Sequence, residues 1–140
     1  MVAVGKVKPA RNTVTPCGGA TIRSFESAIA LSDVGPSVAF VANLQGRGPD
    51  SGVMPPELDA QVVNVFKQIK LAVEAAGGTP DDILKVHFWM KDPATGRKAL
   101  NGEWSKMFPD PESRPARHTS SLPANAPNHL TCDFVAVIGG

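Results

Sequence analysis

Leu58, Val62, Val65, Phe66, Ile69, Ala72, Val73 and Ala76 recur at spacings of three and four, which winds them onto one face of a single amphipathic helix. The ends of that helix are marked too. Pro55-Pro56 suits a first turn, where a missing N–H costs nothing, and Glu57 and Asp59 favour its positive end. Gly77-Gly78 supplies a left-handed cap, and Thr79-Pro80-Asp81-Asp82 reads as a fresh capping turn. The period then switches to two. Leu84, Val86, Phe88 and Met90 alternate with Lys85, His87, Trp89 and Lys91, predicting a strand over 84–91 with the first set in a core. A one-sided helix followed by a one-sided strand satisfies both faces by packing helix on sheet.

The rest of the chain supplies more of the same layers. Short strands are expected over 24–31 and 38–44, around the turn Asp33-Val34-Gly35-Pro36. A Gly-rich loop over 45–54 follows; its Gly46-Arg47-Gly48 lacks the strand-to-helix setting of a phosphate loop. After Asp92-Pro93, a second helix over 94–108 carries Leu100, Trp104, Met107 and Phe108 on one side. A proline-stiffened loop over 109–115 leads to closing strands over 116–121 and 129–138. Residues 1–22 show no period and read as a loosely ordered N-terminal arm. The expected architecture is α+β, one domain over 1–140 with a single mixed β-sheet and two helices on one face. Trp89 and His87 on the helix-free face suggest that this face is covered as well, by another subunit.

Charge and cysteine usage narrow the partners. With 14 Lys plus Arg against 13 Asp plus Glu, the chain lacks the basic excess behind broad electrostatic binding to nucleic acid or an acidic membrane, so neither partner is expected. No apolar run approaches the ~20 residues of a membrane span, and Met1 to Lys8 lacks a signal-peptide core, so a cytoplasmic address is expected. Cys17 and Cys132 match no CxxC pattern and read as free thiols. His87, His118 and His129 show no metal-ligand spacing, so no metal site is expected.

One cation stands out. Arg117 opens a strand directly after the proline-fixed loop, and its planar fork can grip a carboxylate through two parallel hydrogen bonds. Strand alternation turns the neighbouring His118 to the opposite face, and turns Cys132 away from Thr131 and Asp133.

Several segments, in order, carry a resemblance: Val73-Glu-Ala-Ala-Gly-Gly78, Asp81-Asp82-Ile83, Lys85-Val-His-Phe-Trp-Met-Lys-Asp92, Leu100-Asn101 with Trp104 and Phe108, and Pro115-Ala-Arg117. Over residues 24–138 the chain resembles the Rid proteins of YjgF type, small reactive-intermediate deaminases. The resemblance implies a chorismate-mutase-like trimer fold, with a pocket at each subunit interface of a homotrimer. It implies that Arg117 holds a substrate carboxylate, that Asn101 lies near it, and that Phe25 fills an aromatic position where many members have tyrosine. Active members hydrolyse enamines and imines to a 2-oxo acid and ammonia.

The chain departs from the pattern in two places. Thr131 stands where deaminating members have a water-activating glutamate, whereas counting without a gap from Leu122-Pro123 brings His129 there. A threonine hydroxyl can hold a water but cannot serve as a carboxylate base. Ala42-Asn43-Leu44 replaces the usual Ser-Gly-Gln. The function implied is a hydrolase or deaminase of a small reactive imine, enamine or related carboxylate, with Thr131 and Asn101 orienting substrate or water and with no metal or organic cofactor. Two other readings stand beside it: a trimeric carboxylate-binding protein without catalysis, and a dedicated deaminase of an aminomuconate-like acid in aromatic degradation.

Overall fold

The structure, a computed structural model, describes residues 11–14, 21–25 and 36–139. Its elements are β1 (Arg11–Val14), β2 (Thr21–Phe25), β3 (Ser37–Gln45), α1 (Leu58–Ala75), β4 (Ile83–Met90), α2 (Pro93–Met107), β5 (Ala116–Ser121) and β6 (Leu130–Ile138). The six strands among the described residues share one sheet in the order β1-β2-β3-β6-β4-β5. Among these strands only β4 and β5 pair in parallel, through the α2 crossover, so the sheet is mixed as expected. Most of the stretch read as an arm lies outside the described residues; within it, Arg11–Val14 forms β1 and Thr21 opens β2. Of the strand expected over 24–31, Ser24 and Phe25 belong to β2 and the remainder lies outside the described residues.

The α1 helix ends as its sequence requires. Gly77 adopts φ 93°, its N–H donates to the Glu74 carbonyl at 3.0 Å, and the Gly78 N–H donates to the Val73 carbonyl at 2.9 Å. This pair of bonds closes the helix with the backbone turn that glycine reaches without strain. α2 opens differently: Asp92 accepts from the Ala94 N–H at 3.1 Å and the Thr95 N–H at 3.4 Å, with Pro93 in the first turn.

The apolar face of α1 (Val62, Val65, Phe66, Ile69, Ala72, Val73) lies buried against Ala39, Val41 and Leu44 of β3, Val86, Phe88 and Met90 of β4, and Leu130, Cys132, Phe134 and Ala136 of β6. Trp104 and Phe108 close the α2 side: Phe66, Phe88 and Trp104 pack within 6.5 Å of one another, and Trp104 meets Phe108 at 4.7 Å. Aromatic pairs at these separations add to their burial energy.

Two local readings change. Leu84 was expected in the core, yet it is 57% exposed while Ile83 is buried. The pairing of β4 with β6 slips between Ile83 and Lys85, and one extra residue reverses which side chains face inward before the slip. The inner face of α1 is also not purely apolar, since Gln61 and Gln68 are buried within it. Gln61 Nε2 donates to the Pro55 carbonyl at 2.7 Å and its Oε1 accepts the His129 N–H at 2.9 Å. Asn64 donates to the Gly46 carbonyl and Gln68 to the Arg47 carbonyl. These amides pin the Gly-rich loop onto the helix, supplying partners that its backbone would otherwise lack.

Candidate functional site

In the parallel register Arg117 of β5 stands beside Val86 of β4, and Thr119 beside Phe88. Val86 and Phe88 are core residues, so Arg117 leaves β5 on the helix-bearing face and at the edge of the sheet. There α2 receives it. Arg117 Nη2 donates to Asn101 Oδ1 at 3.1 Å, and its guanidinium carbon lies 5.0 Å from the centre of the Trp104 ring. A guanidinium over an indole is held in orientation by the ring quadrupole, and the Asn101 oxygen occupies one N–H while leaving others to a ligand. Among the described residues no carboxylate forms an ion pair with Arg117; the two ion pairs present are Lys70 with Glu74 and Lys106 with Glu103. Partial burial, then the charges of Arg114 and Arg97, hold the Arg117 guanidinium below its ordinary value, and it remains a cation.

The other expected residues lie elsewhere in the chain. Thr131 of β6 pairs with Trp89 and alternates with the buried Leu130 and Cys132, so it projects from the helix-free face. Phe25 ends β2 opposite Val38, and its side chain lies outside the described residues. Three strands separate β2 from β5, a span of about 19 Å at ~4.8 Å per step. One chain therefore brings Asn101 to Arg117 and brings neither Thr131 nor the Phe25 backbone to them.

The helix-free face holds its own cluster. The rings of Trp89, His87 and His118 stack in series, at 3.8 Å between the first two and 4.4 Å between the last two. His87 Nε2 lies 2.8 Å from Ser120 Oγ. Desolvation first, then the charges of His118 and Lys85, lower the His87 pKa, with Asp133 opposing them. Asp133 accepts the Asn43 N–H at 3.0 Å. His118 does face away from Arg117, as alternation predicts. Cys132 is a buried free thiol whose pKa burial pushes well up; Cys17 lies outside the described residues. No group of three metal-ligating side chains occurs among the described residues.

A family profile described as Endoribonuclease L-PSP matches residues 24–130. The chain belongs to this family. A RutC family protein of Aquifex aeolicus is 27% identical over 130 residues, spanning 91% of this chain and 98% of that one. The E. coli YjgF gene product has a similar structure, with a TM-score of 0.63 and 25% identity over 76% of this chain and 84% of its own. RidA from an Antarctic Psychrobacter shares the fold, with a TM-score of 0.64 and 24% identity over 72% of this chain and 80% of its own. The expected YjgF-type Rid membership and fold are thus established.

Within the Rid family pattern, two departures gain a physical reading. Asn43, which the resemblance sets at the usual glycine, has φ 61° at the slip in pairing between β3 and β6. Asparagine is among the few residues other than glycine that tolerate this conformation. His129, the alternative to Thr131 at the position where the resemblance expects a glutamate, places Nε2 at 2.9 Å from the Pro56 carbonyl. A carbonyl only accepts, so that nitrogen carries the proton and serves to hold the start of α1. Sequence reading missed Trp104 as a platform for Arg117, although the spacing of Asn101 and Trp104, three residues apart on α2, was available as a signal.

Proposed function

We propose that this protein is a Rid-like hydrolase of a small reactive imine or enamine carboxylate, with Arg117 as the anchor for the carboxylate. One observation carries the reading: an arginine oriented by Asn101 and backed by Trp104, with no carboxylate ion-paired to it among the described residues. Such a group is arranged to receive an anion from solution. No helix of the described residues is long and apolar enough to cross a membrane, and the near-balanced charge gives little support to an RNA substrate despite the family description.

The chemistry needs little from the protein. An enamine takes a proton at carbon and becomes an imine; water adds to the imine carbon, and the carbinolamine collapses to the 2-oxo acid and ammonia. A substrate this unstable gains most from being held in place. Thr131 would orient the water through its hydroxyl. Because Thr131 and Arg117 leave opposite faces of one sheet, a site using both draws them from two copies of the chain, which supports the expected interface pocket of a homotrimer.

A second reading follows from the same geometry. Among the described residues Arg117 is ion-paired with no acid, while His129 is engaged at the Pro56 carbonyl and His118 in the stack with His87, which favours carboxylate binding without turnover. Ammonia release from a freshly generated 2-aminoacrylate-type imine separates the two. The hydrolase reading expects slow turnover above the spontaneous rate, lost in Arg117→Ala and reduced in Thr131→Val. A rate equal to the spontaneous one, with ligand binding retained, selects the binding protein.

A further inference from the structure

Arg117 is not the only unneutralised cation at this edge. Arg97, Asn101, Trp104 and Phe108 follow one another at spacings of four, three and four along α2 and its end, which sets Arg97 one turn from Asn101 on the same face. Arg114, three residues before Arg117, donates from Nε to the Phe108 carbonyl at 2.8 Å, and Phe108 in turn packs on Trp104. That bond uses one N–H and fixes the direction of the guanidinium, leaving its two terminal nitrogens unbonded among the described residues. Neither Arg97 nor Arg114 forms an ion pair among the described residues. Both charges are felt at Arg117, where they help to depress its pKa.

The charges of Arg97, Arg114 and Arg117 repel one another, and among the described residues none of the three is held in an ion pair. A single carboxylate neutralises one of them. We propose that the anchor site is built for a dianion: one carboxylate on Arg117 and a second acidic group of the same small molecule on Arg97 and Arg114, so that the substrate class is a short 2-imino or 2-enamino dicarboxylate. The inference rests on the reading of Arg117 as a carboxylate anchor and adds a specificity to it. Arg97 and Arg114 are specificity determinants here; neither is assigned a part in the hydrolysis.

The test compares two stable 2-oxo acids of equal chain length, 2-oxopentanoate and 2-oxoglutarate, by calorimetry on the full chain at fixed low salt. Wild type should bind 2-oxoglutarate at least tenfold more tightly than 2-oxopentanoate. Arg97→Gln and Arg114→Gln should each shrink that preference to threefold or less while moving the 2-oxopentanoate affinity by less than twofold. Arg117→Ala should weaken both ligands. If wild type binds the two acids equally, or the preference persists in both glutamine variants, the dianion site is overturned while the Arg117 anchor stands. If neither acid binds wild type, the anchor reading fails and takes the dianion site with it.

Discussion

Arg117 shows how far one residue can be followed. Its position after Pro115-Ala116 marked it in the sequence, and Asn101 emerged as its neighbour through the family resemblance; the structure places the two 3.1 Å apart. What the sequence alone could not display was the third dimension of the setting. The indole beneath Arg117 comes from a residue that also reads as ordinary helix core, and the charges of two further arginines, one on a helix turn and one in a loop, are felt at Arg117. His87 offers a check at the same scale. Its pKa lies below the ordinary 6.5, so between the two values the unfolded chain binds more protons than the folded one. Stability is therefore complete above about pH 6.5 and declines as pH falls toward the depressed folded value. The thermal midpoint should drop between pH 7.5 and 5.5, and the drop should be smaller in His87→Gln. Equal drops in both proteins would place the titration elsewhere.

At the scale of elements, both helices, β4 and the closing strands were legible because period and punctuation agree there. α1 carries an apolar stripe with a glycine exit, and Asp92-Pro93 marks the change from strand to helix. Legibility failed where pairing rather than periodicity decides. Leu84 continues the alternation perfectly on paper, yet the slip against β6 turns it to solvent. Gln61 and Gln68 interrupt the stripe for the sake of loop carbonyls that only the fold brings within reach. Asn43 is the sharpest case, because its φ of 61° answers to the irregular pairing of β3 with β6. Asn43→Gly should keep or slightly raise stability, whereas Asn43→Val should cost about 1–2 kcal/mol for a branched residue in the left-handed region. Urea unfolding of the two variants checks this, and a neutral valine would show that the backbone relaxes at that position.

For the whole molecule, the decisive fact is that the expected site is split. Arg117 and Asn101 occupy the helix-bearing edge, Thr131 the opposite face, and Phe25 the far side of the sheet. The stacked Trp89, His87 and His118 lie on the helix-free face, which a second copy would cover. Light scattering should accordingly report a mass near three times the 14.7 kDa chain, and a stable monomer at micromolar concentration would remove the shared pocket. The anchor itself is tested most directly by titrating 2-oxobutyrate into wild type, Arg117→Ala and Arg117→Lys, with the mass of each checked beside it. Arg117 is only partly buried in one chain, so a charged hydrogen-bond pair worth about 1.5–3 kcal/mol is the appropriate scale, or roughly 10- to 150-fold in affinity. The account predicts a loss of that order in Arg117→Ala, partial recovery in Arg117→Lys, which keeps charge without the fork, and an unchanged mass in all three. Equal affinity in wild type and Arg117→Ala, with the assembly intact, would contradict it.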